Sequence, residues 1–130
     1  MATFRTELTV DGNTYPVRQL WLSITQSIDA VGRPSSAPRG GKIRLELDGT
    51  EDDSLSEWMA DPHKTLGGSV RYHRIDEDAT LKELTFEDAY CVDYIERFDG
   101  TQSGQPMTTT LTISAQKLTI GQVAVENNWP

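Results

Sequence analysis

The chain has 130 residues, room for one domain with a core of its own and hardly for two. With 36% apolar and 25% charged residues it reads as globular rather than disordered, and 20 acidic against 12 basic residues leave a net charge of −8, which argues against nucleic acid or anionic lipid as partners. The single cysteine, Cys91, excludes an internal disulfide framework and an all-cysteine zinc site.

Along the chain the dominant pattern is alternation with period two. Phe4, Thr6, Leu8 and Val10 share one face of a first strand, and Arg5, Glu7 and Thr9 the other. Asp11-Gly12-Asn13 follows as a hairpin turn, because these residue types tolerate positive φ. A second strand runs from about Tyr15 to Ile28. Its apolar parity slips between Val17 and Leu20 and then holds through Leu22 and Ile24, which predicts a bulge near Arg18-Gln19. Residues 30–41 contain two prolines, three glycines and two serines and form the one long irregular stretch. Ile43, Leu45 and Leu47, alternating with Lys42, Arg44 and Glu46, make a third strand that stops at Asp48-Gly49.

One short helix is expected next. Ser54 with Glu57 three positions later fits a capping box, and Glu51, Asp52 and Asp53 sit where a helix dipole favours negative charge. Leu55, Trp58 and Met59 fall at i, i+3 and i+4 and predict one buried face, with Asp61-Pro62 as the stop. Val70 and Tyr72 mark a fourth strand, and Asp76-Glu77-Asp78-Ala79 a turn. From Leu84 the even positions read Leu84, Phe86, Asp88, Tyr90, Val92, Tyr94, Glu96 and Phe98, a run of roughly 45–50 Å if straight, so a bend is expected. Asp99-Gly100 opens a loop containing Gly104 and Pro106. Met107, Thr109, Leu111, Ile113 and Ala115 then face the core, while Thr108, Thr110, Thr112, Ser114 and Gln116 make a wetted, hydroxyl-rich face; Leu118 and Ile120 follow after a further parity change. Six or so strands and one helix describe a mainly β protein, a small antiparallel β-barrel or sandwich.

The residues that carry chemistry are sparse. His63 and His73 stand apart from any second histidine at a ligand spacing. No Gly-x-Ser-x-Gly turn occurs. Gly40-Gly41-Lys42 fails as a phosphate loop, because Ser36 stands where glycine is needed and Ile43 where Ser or Thr would bind magnesium. Asp76-Glu77-Asp78 lacks the glycine of a calcium loop, Leu81 standing in its place. Cys91, between Tyr90 and Val92 on a strand, reads as a buried, inert thiol. No catalytic, cofactor or metal site is therefore predicted, and that favours a structural or binding role. The longest apolar run, residues 89–92, cannot cross a bilayer, and the residues after Met1 lack a secretory h-region. The expectation is a protein made in the cytoplasm, without membrane insertion, that leaves the cell by a route needing no cleaved signal.

The segment Ile28-Asp29-Ala30-Val31-Gly32-Arg33-Pro34-Ser35-Ser36 with Arg39-Gly40-Gly41 resembles the type VI secretion tube proteins, the Hcp or TssD family, in their Bacteroidota form. Further matches follow in order: Leu8-Thr9-Val10-Asp11-Gly12, Thr50-Glu51-Asp52 with Glu57-Trp58-Met59, Asp76-Glu77-Asp78-Ala79-Thr80 with Leu84 and Phe86, and Glu126-Asn127 with Trp129. The resemblance implies a single tube domain over residues 1–130, a small β-barrel with a flanking helix. It also implies homo-hexameric rings that stack into a tube, partnered by a contractile sheath, a spike and baseplate, and effector proteins carried in the lumen. A phage or extracellular-particle tail tube, or a small ligand-binding β-barrel with an apolar pocket, are the alternatives. On this reading Gly32, Arg33, Pro34, Ser35, Ser36, Arg39, Gly40 and Gly41 form an assembly loop, with Glu51, Asp52 and Asp53 of the next copy as acidic partners for its two arginines. Thr108, Thr110, Thr112 and Ser114 would line the lumen.

Overall fold

Residues 4–25, 28–34, 39–49, 53–74, 79–101, 104 and 106–126 are described in a computed structural model. The elements are β1 (Phe4–Val10), β2 (Asn13–Thr25), β3 (Arg39–Asp48), α1 (Ser54–Ala60), β4 (Leu66–Arg74), β5 (Ala79–Phe98), β6 (Met107–Ile120) and β7 (Val123–Glu126). The sheet order is β3-β2-β1-β4-β5-β6-β7, and a further β3–β6 pairing closes the first six strands into an antiparallel barrel. Strand β6 serves two partners along one edge: β3 over residues 108–114 and β7 over residues 117–120.

The local chemistry explains most of these boundaries. Asp11 (φ 54°) and Gly12 (φ 78°) are the two central residues of the first hairpin, and the Val10–Asn13 pair makes Asn13 the first residue of β2 rather than part of the turn. Two successive positive φ values match the right-handed twist of the flanking strands. The parity slip in β2 is a bulge, with the register shifting between Val17 and Gln19. β2 stops at Thr25 instead of reaching Ile28, which forms only an isolated bridge to Pro34. β3 begins earlier than expected: Arg39 and Gly40 pair with Thr25 and Ile24. Glycine keeps both backbone hydrogen-bonding groups, so an available partner strand overrides its weak β preference.

Strand β5 corrects the expectation of one continuous even-numbered face. Leu84 and Phe86 are buried, but Asp88 has φ 49°, and beyond it Ala89 and Cys91 take the core side. A second irregularity between Cys91 and Asp93 returns Tyr94 to the core. β6 makes the same switch opposite Asp88, from Leu118 to Ala115, so the register of the two strands is unchanged across the bend. An aspartate accepts positive φ more readily than most side chains. The expected turn at residues 76–78 lies outside the described residues, and Ala79 already belongs to β5. β7, absent from the expectation, follows a turn at Gly121 (φ 60°).

The helix also departs from expectation. Asp53 holds the N-cap position without a side-chain cap bond, and Ser54 is the first helical residue, accepting a bond at 3.3 Å from Asn13 Nδ2. The Ser54–Glu57 capping box therefore does not form; the Glu57 amide and the Ser56 hydroxyl both donate to the Asp53 carbonyl, at 2.9 and 3.0 Å. Leu55 and Trp58 are buried, whereas Met59 is 38% exposed, because a helix of seven residues docks along a narrower stripe than its apolar spacing offers.

Inside the barrel Leu8, Val10, Ile43, Leu45, Leu47, Val70, Leu84, Phe86, Leu111, Ile113 and Leu118 form one core that the helix closes. Trp58 stacks on Phe86 at 6.5 Å between centroids, and its Nε1 donates to the Ala89 carbonyl at 3.1 Å. Gly68 lets β4 pass between β1 and the Phe86 ring: a Cβ there would collide with the Thr9 carbonyl oxygen and lie 2.7 Å from Phe86 Cζ.

Candidate assembly surfaces

Where β1 and β4 end, their neighbours continue alone. β1 pairs with β2 only over residues 13–17, and β4 pairs with β5 only as far as Ala89. The rest of β2, β3, the first half of β6 and the end of β5 therefore form a four-stranded sheet, β2-β3-β6-β5. Among the described residues both of its outer edges, β2 beyond Val17 and β5 beyond Ala89, lack a strand partner. An unpaired edge presents a row of backbone donors and acceptors to whatever strand can reach it.

One face of this sheet covers the core through Leu20, Leu22, Ile43, Leu45, Leu47, Leu111 and Ile113. The other faces outward and reads as rows across the strands: Ser23-Lys42-Ser114-Tyr90, Trp21-Arg44-Thr112-Asp93 and Gln19-Glu46-Thr110-Ile95, with Asp48-Thr108-Arg97 as a last partial row. Thr108, Thr110, Thr112 and Ser114 thus lie together down the middle, partly exposed, while Thr109, Leu111, Ile113 and Ala115 are buried, as the alternation predicts. The face is not neutral, however, because the flanking strands carry its charges. Arg18, in the β2 bulge, reaches Asp48 at 3.4 Å and Glu46 at 4.0 Å. Lys42 and Arg44 have no carboxylate partner among the described residues; the Arg44 guanidinium sits 5.5 Å from the centre of the half-exposed Trp21 ring.

The loop between β2 and β3 is more organised than its composition suggests. Asp29 Oδ1 accepts from the amides of Val31 (3.0 Å) and Arg33 (2.9 Å), and Arg33 Nε lies 3.3 Å from Asp29 Oδ2. The Arg33 amide foremost, with the Val31 amide and the Arg33 side chain, holds the Asp29 carboxyl below the ordinary carboxylate pKa, and the Asp29 amide in turn donates to the Arg33 carbonyl at 2.8 Å. Val31, 73% exposed, and Ile28 project from this turn. Arg33, expected to reach a neighbouring copy, thus already engages a carboxylate of its own loop. Gly32 (φ 88°) and Pro34 belong to the turn, while Arg39, Gly40 and Gly41 are the start of β3. Ser35, Ser36, Glu51 and Asp52 lie outside the described residues; Asp53 is exposed at the helix start.

On the β1–β4–β5 face Arg5 contacts Glu7 and His73, each at 2.8 Å, and Arg71 contacts Glu83 at 2.8 Å, which raises the Arg71 pKa. The Cys91 thiol is pushed up to about 11 by burial. Among the described residues no three His, Cys, Asp or Glu side chains gather to hold a metal, and no helix is long and apolar enough to cross a membrane. Sequence reasoning missed where the free edges lie, the Asp29 turn and Trp21. Trp21 was legible as an aromatic on the polar parity of β2. The edges were not, since they depend on which strands stop short.

A family model for "Hemolysin coregulated protein Hcp (TssD)" matches residues 2–130. No curated protein matches by sequence. Among solved structures, Hcp1 from Flavobacterium johnsoniae is 41% identical with a TM-score of 0.85, covering 95% of this chain and 99% of that one. Hcp1 from Salmonella typhimurium is 12% identical with a TM-score of 0.71, covering 90% and 85%. The sheath/tube terminator of the extracellular contractile injection system PVC is 15% identical with a TM-score of 0.68, covering 92% and 95%. The last two likenesses are of fold.

Proposed function

The chain belongs to the Hcp (TssD) family of secretion-system tube proteins, and from that premise we propose that its copies, each a single tube domain, close into homo-hexameric rings that stack into the tube of a type VI secretion system. The observation that carries the ring is the four-stranded sheet with two free edges. Its strands alternate in direction, so β2 at one edge and β5 at the other run oppositely, and the junction made when one copy follows another by rotation is again antiparallel. Six such sheets at about 4.8 Å per strand close a circle of roughly 37 Å backbone diameter when the strands run along the ring axis. A closed ring leaves no edge, and cyclic symmetry is the common solution for a soluble oligomer.

In such a ring the Thr108, Thr110, Thr112 and Ser114 strip lines the lumen. The β2–β3 loop reaches the next ring, with Gly32, Arg33 and Pro34 in its ordered turn and Ser35, Ser36, Arg39, Gly40 and Gly41 completing it. Glu51, Asp52 and Asp53 remain the acidic partners assigned to Arg39 and, when it leaves Asp29, to Arg33. The role is structural rather than catalytic. The filled barrel interior supports a tube subunit over a monomeric ligand-binding barrel, in which those positions would line an apolar pocket. Sheath, spike and baseplate are the expected partners, effectors the cargo, and the tube leaves the cytoplasm through the contractile apparatus.

Native mass spectrometry with negative-stain microscopy of the purified chain tests this. Hexamers with an open centre are expected, and Arg33→Glu with Arg39→Glu should keep rings but lose stacking and export. Monomers at every concentration and salt would refute the ring; parent-like stacking and export by the double variant would refute the loop.

A further inference from the structure

We propose that Trp21, Arg44 and Lys42 form a docking patch for acidic polypeptide segments on the outward face of the β2-β3-β6-β5 sheet; its place in a lumen rests on the ring reading above. Three observations carry it. The chain has a net charge of −8, yet this patch holds two cations with no carboxylate partner among the described residues. The carboxylates nearest along β3, Glu46 and Asp48, are instead engaged by Arg18, which leaves the Lys42 and Arg44 charges free to act on a ligand. Trp21 is 48% exposed on the polar parity of its strand, where burial cannot account for an indole, and Arg44 lies 5.5 Å from its ring centre. That stacking orients the guanidinium while leaving its edge donors open to carboxylates.

The patch is mixed in character, and this selects its occupant. An indole with flanking cations fits a peptide that offers carboxylates beside an apolar or aromatic side chain; Trp and Arg are the residues most enriched where binding energy concentrates. Ser23 and Ser114 flank Lys42, and Thr112 stands beside Arg44, adding hydroxyls that can bond to a peptide backbone. A nucleic acid fits less well, since a run of phosphates calls for a track of cations and this patch offers two beside one indole. A single patch makes few contacts and binds weakly. A ring repeats it around one lumen, so an acidic cargo surface meets several patches together and gains by effective concentration.

The test uses the full-length chain, with oligomeric state read by native mass spectrometry on every sample. Fluorescence anisotropy measures binding of a dye-labelled peptide of glutamate, serine and one phenylalanine. The comparison probes are the same peptide with lysine for glutamate and a single-stranded oligodeoxynucleotide. The glutamate peptide should bind, weaken with added salt, and lose about tenfold or more in affinity in Lys42→Gln/Arg44→Gln and in Trp21→Ala. Lys42→Glu/Arg44→Glu should reverse the preference to the lysine peptide. These side chains point outward, and circular dichroism confirms that each variant folds. Equal binding of both peptides, binding of the oligonucleotide alone, or parent-like affinity in the variants would overturn the patch. If the samples are monomeric, the ring reading fails, and the peptide comparison still decides the patch.

Discussion

Replacing Trp58 tests how the helix closes the barrel. The indole is fully buried on a helix of seven residues, stacked on Phe86 and bonded to the Ala89 carbonyl, at the point where β4 stops pairing with β5. Trp58→Ala removes the whole side chain, which costs about 3–5 kcal/mol for a buried tryptophan. The helix is too short to persist by itself, so it should undock along with the lost contacts. Trp58→Phe keeps most of the apolar area and the stacking but leaves the Ala89 carbonyl without its donor, a loss of about 1–3 kcal/mol. At roughly 3–5 °C per kcal/mol for a domain of this size, the alanine variant should melt roughly 9–25 °C below the parent. Urea unfolding followed by far-ultraviolet circular dichroism measures both variants, at matched protein concentration because assembly stabilises the folded chain by mass action. A loss under about 1 kcal/mol for Trp58→Ala would refute the reasoning, since a fully buried anchor cannot be that cheap to remove. Equal losses for the two variants would show instead that the hydrogen bond, not the packing, holds the helix.

Three further outcomes are expected. Gly68→Ala forces a methyl against the Thr9 carbonyl and the Phe86 ring and should destabilise the barrel by about 2–3 kcal/mol in the same urea assay, whereas Gly104→Ala, with open space around it, should be near neutral. Asp29→Ala should leave barrel stability unchanged but increase amide exchange at Val31 and Arg33; because the Asp29 pKa is depressed, the wild-type turn keeps its bonds through the ordinary range and loses them only as pH falls below the usual 3.8, which amide exchange or NMR at acidic pH would read. Cys91, with its thiol pushed up to about 11, should resist a thiol reagent at neutral pH and react at the rate of a free cysteine once urea unfolds the chain; rapid native labelling would show that this strand opens.

The strands were legible because most of them have one dry and one wet face. Alternation located β1, β3 and β6, and a single parity slip located the bulge after Val17. Alternation misled in β5, since counting by twos cannot anticipate a residue such as Asp88 that turns the strand over through its own backbone. The helix start was misplaced because the Ser54 hydroxyl bonds to Asn13, a partner brought close only by the fold. Met59 shows the same limit, as helical spacing says which residues share a stripe but not how wide a stripe the barrel covers. The Thr108 to Ser114 strip was read correctly in its orientation, yet its charged borders come from register with β3 and β5, which no single strand reveals. Val123–Glu126 was missed because four residues are too few to establish a period.

The two bare edges of the β2-β3-β6-β5 sheet also bear on the life of the chain before assembly. Among its described residues a newly made subunit has half-finished ladders on both sides, and an incomplete arc of subunits would be no better off, because it too would end in two bare edges. On the ring reading proposed above, only the subunit that shuts the circle satisfies both at once, so partial arcs should be fleeting and the population divided between free chains and complete rings. The exposed Asp93, Glu96 and Arg97 along β5, and Arg18 and Gln19 along β2, place charged and polar side chains where a foreign strand would have to lie. They act as gatekeepers against indefinite lateral growth, which on the ring reading makes the threshold concentration for closure, rather than the stability of any one subunit, the quantity that assembly must exceed.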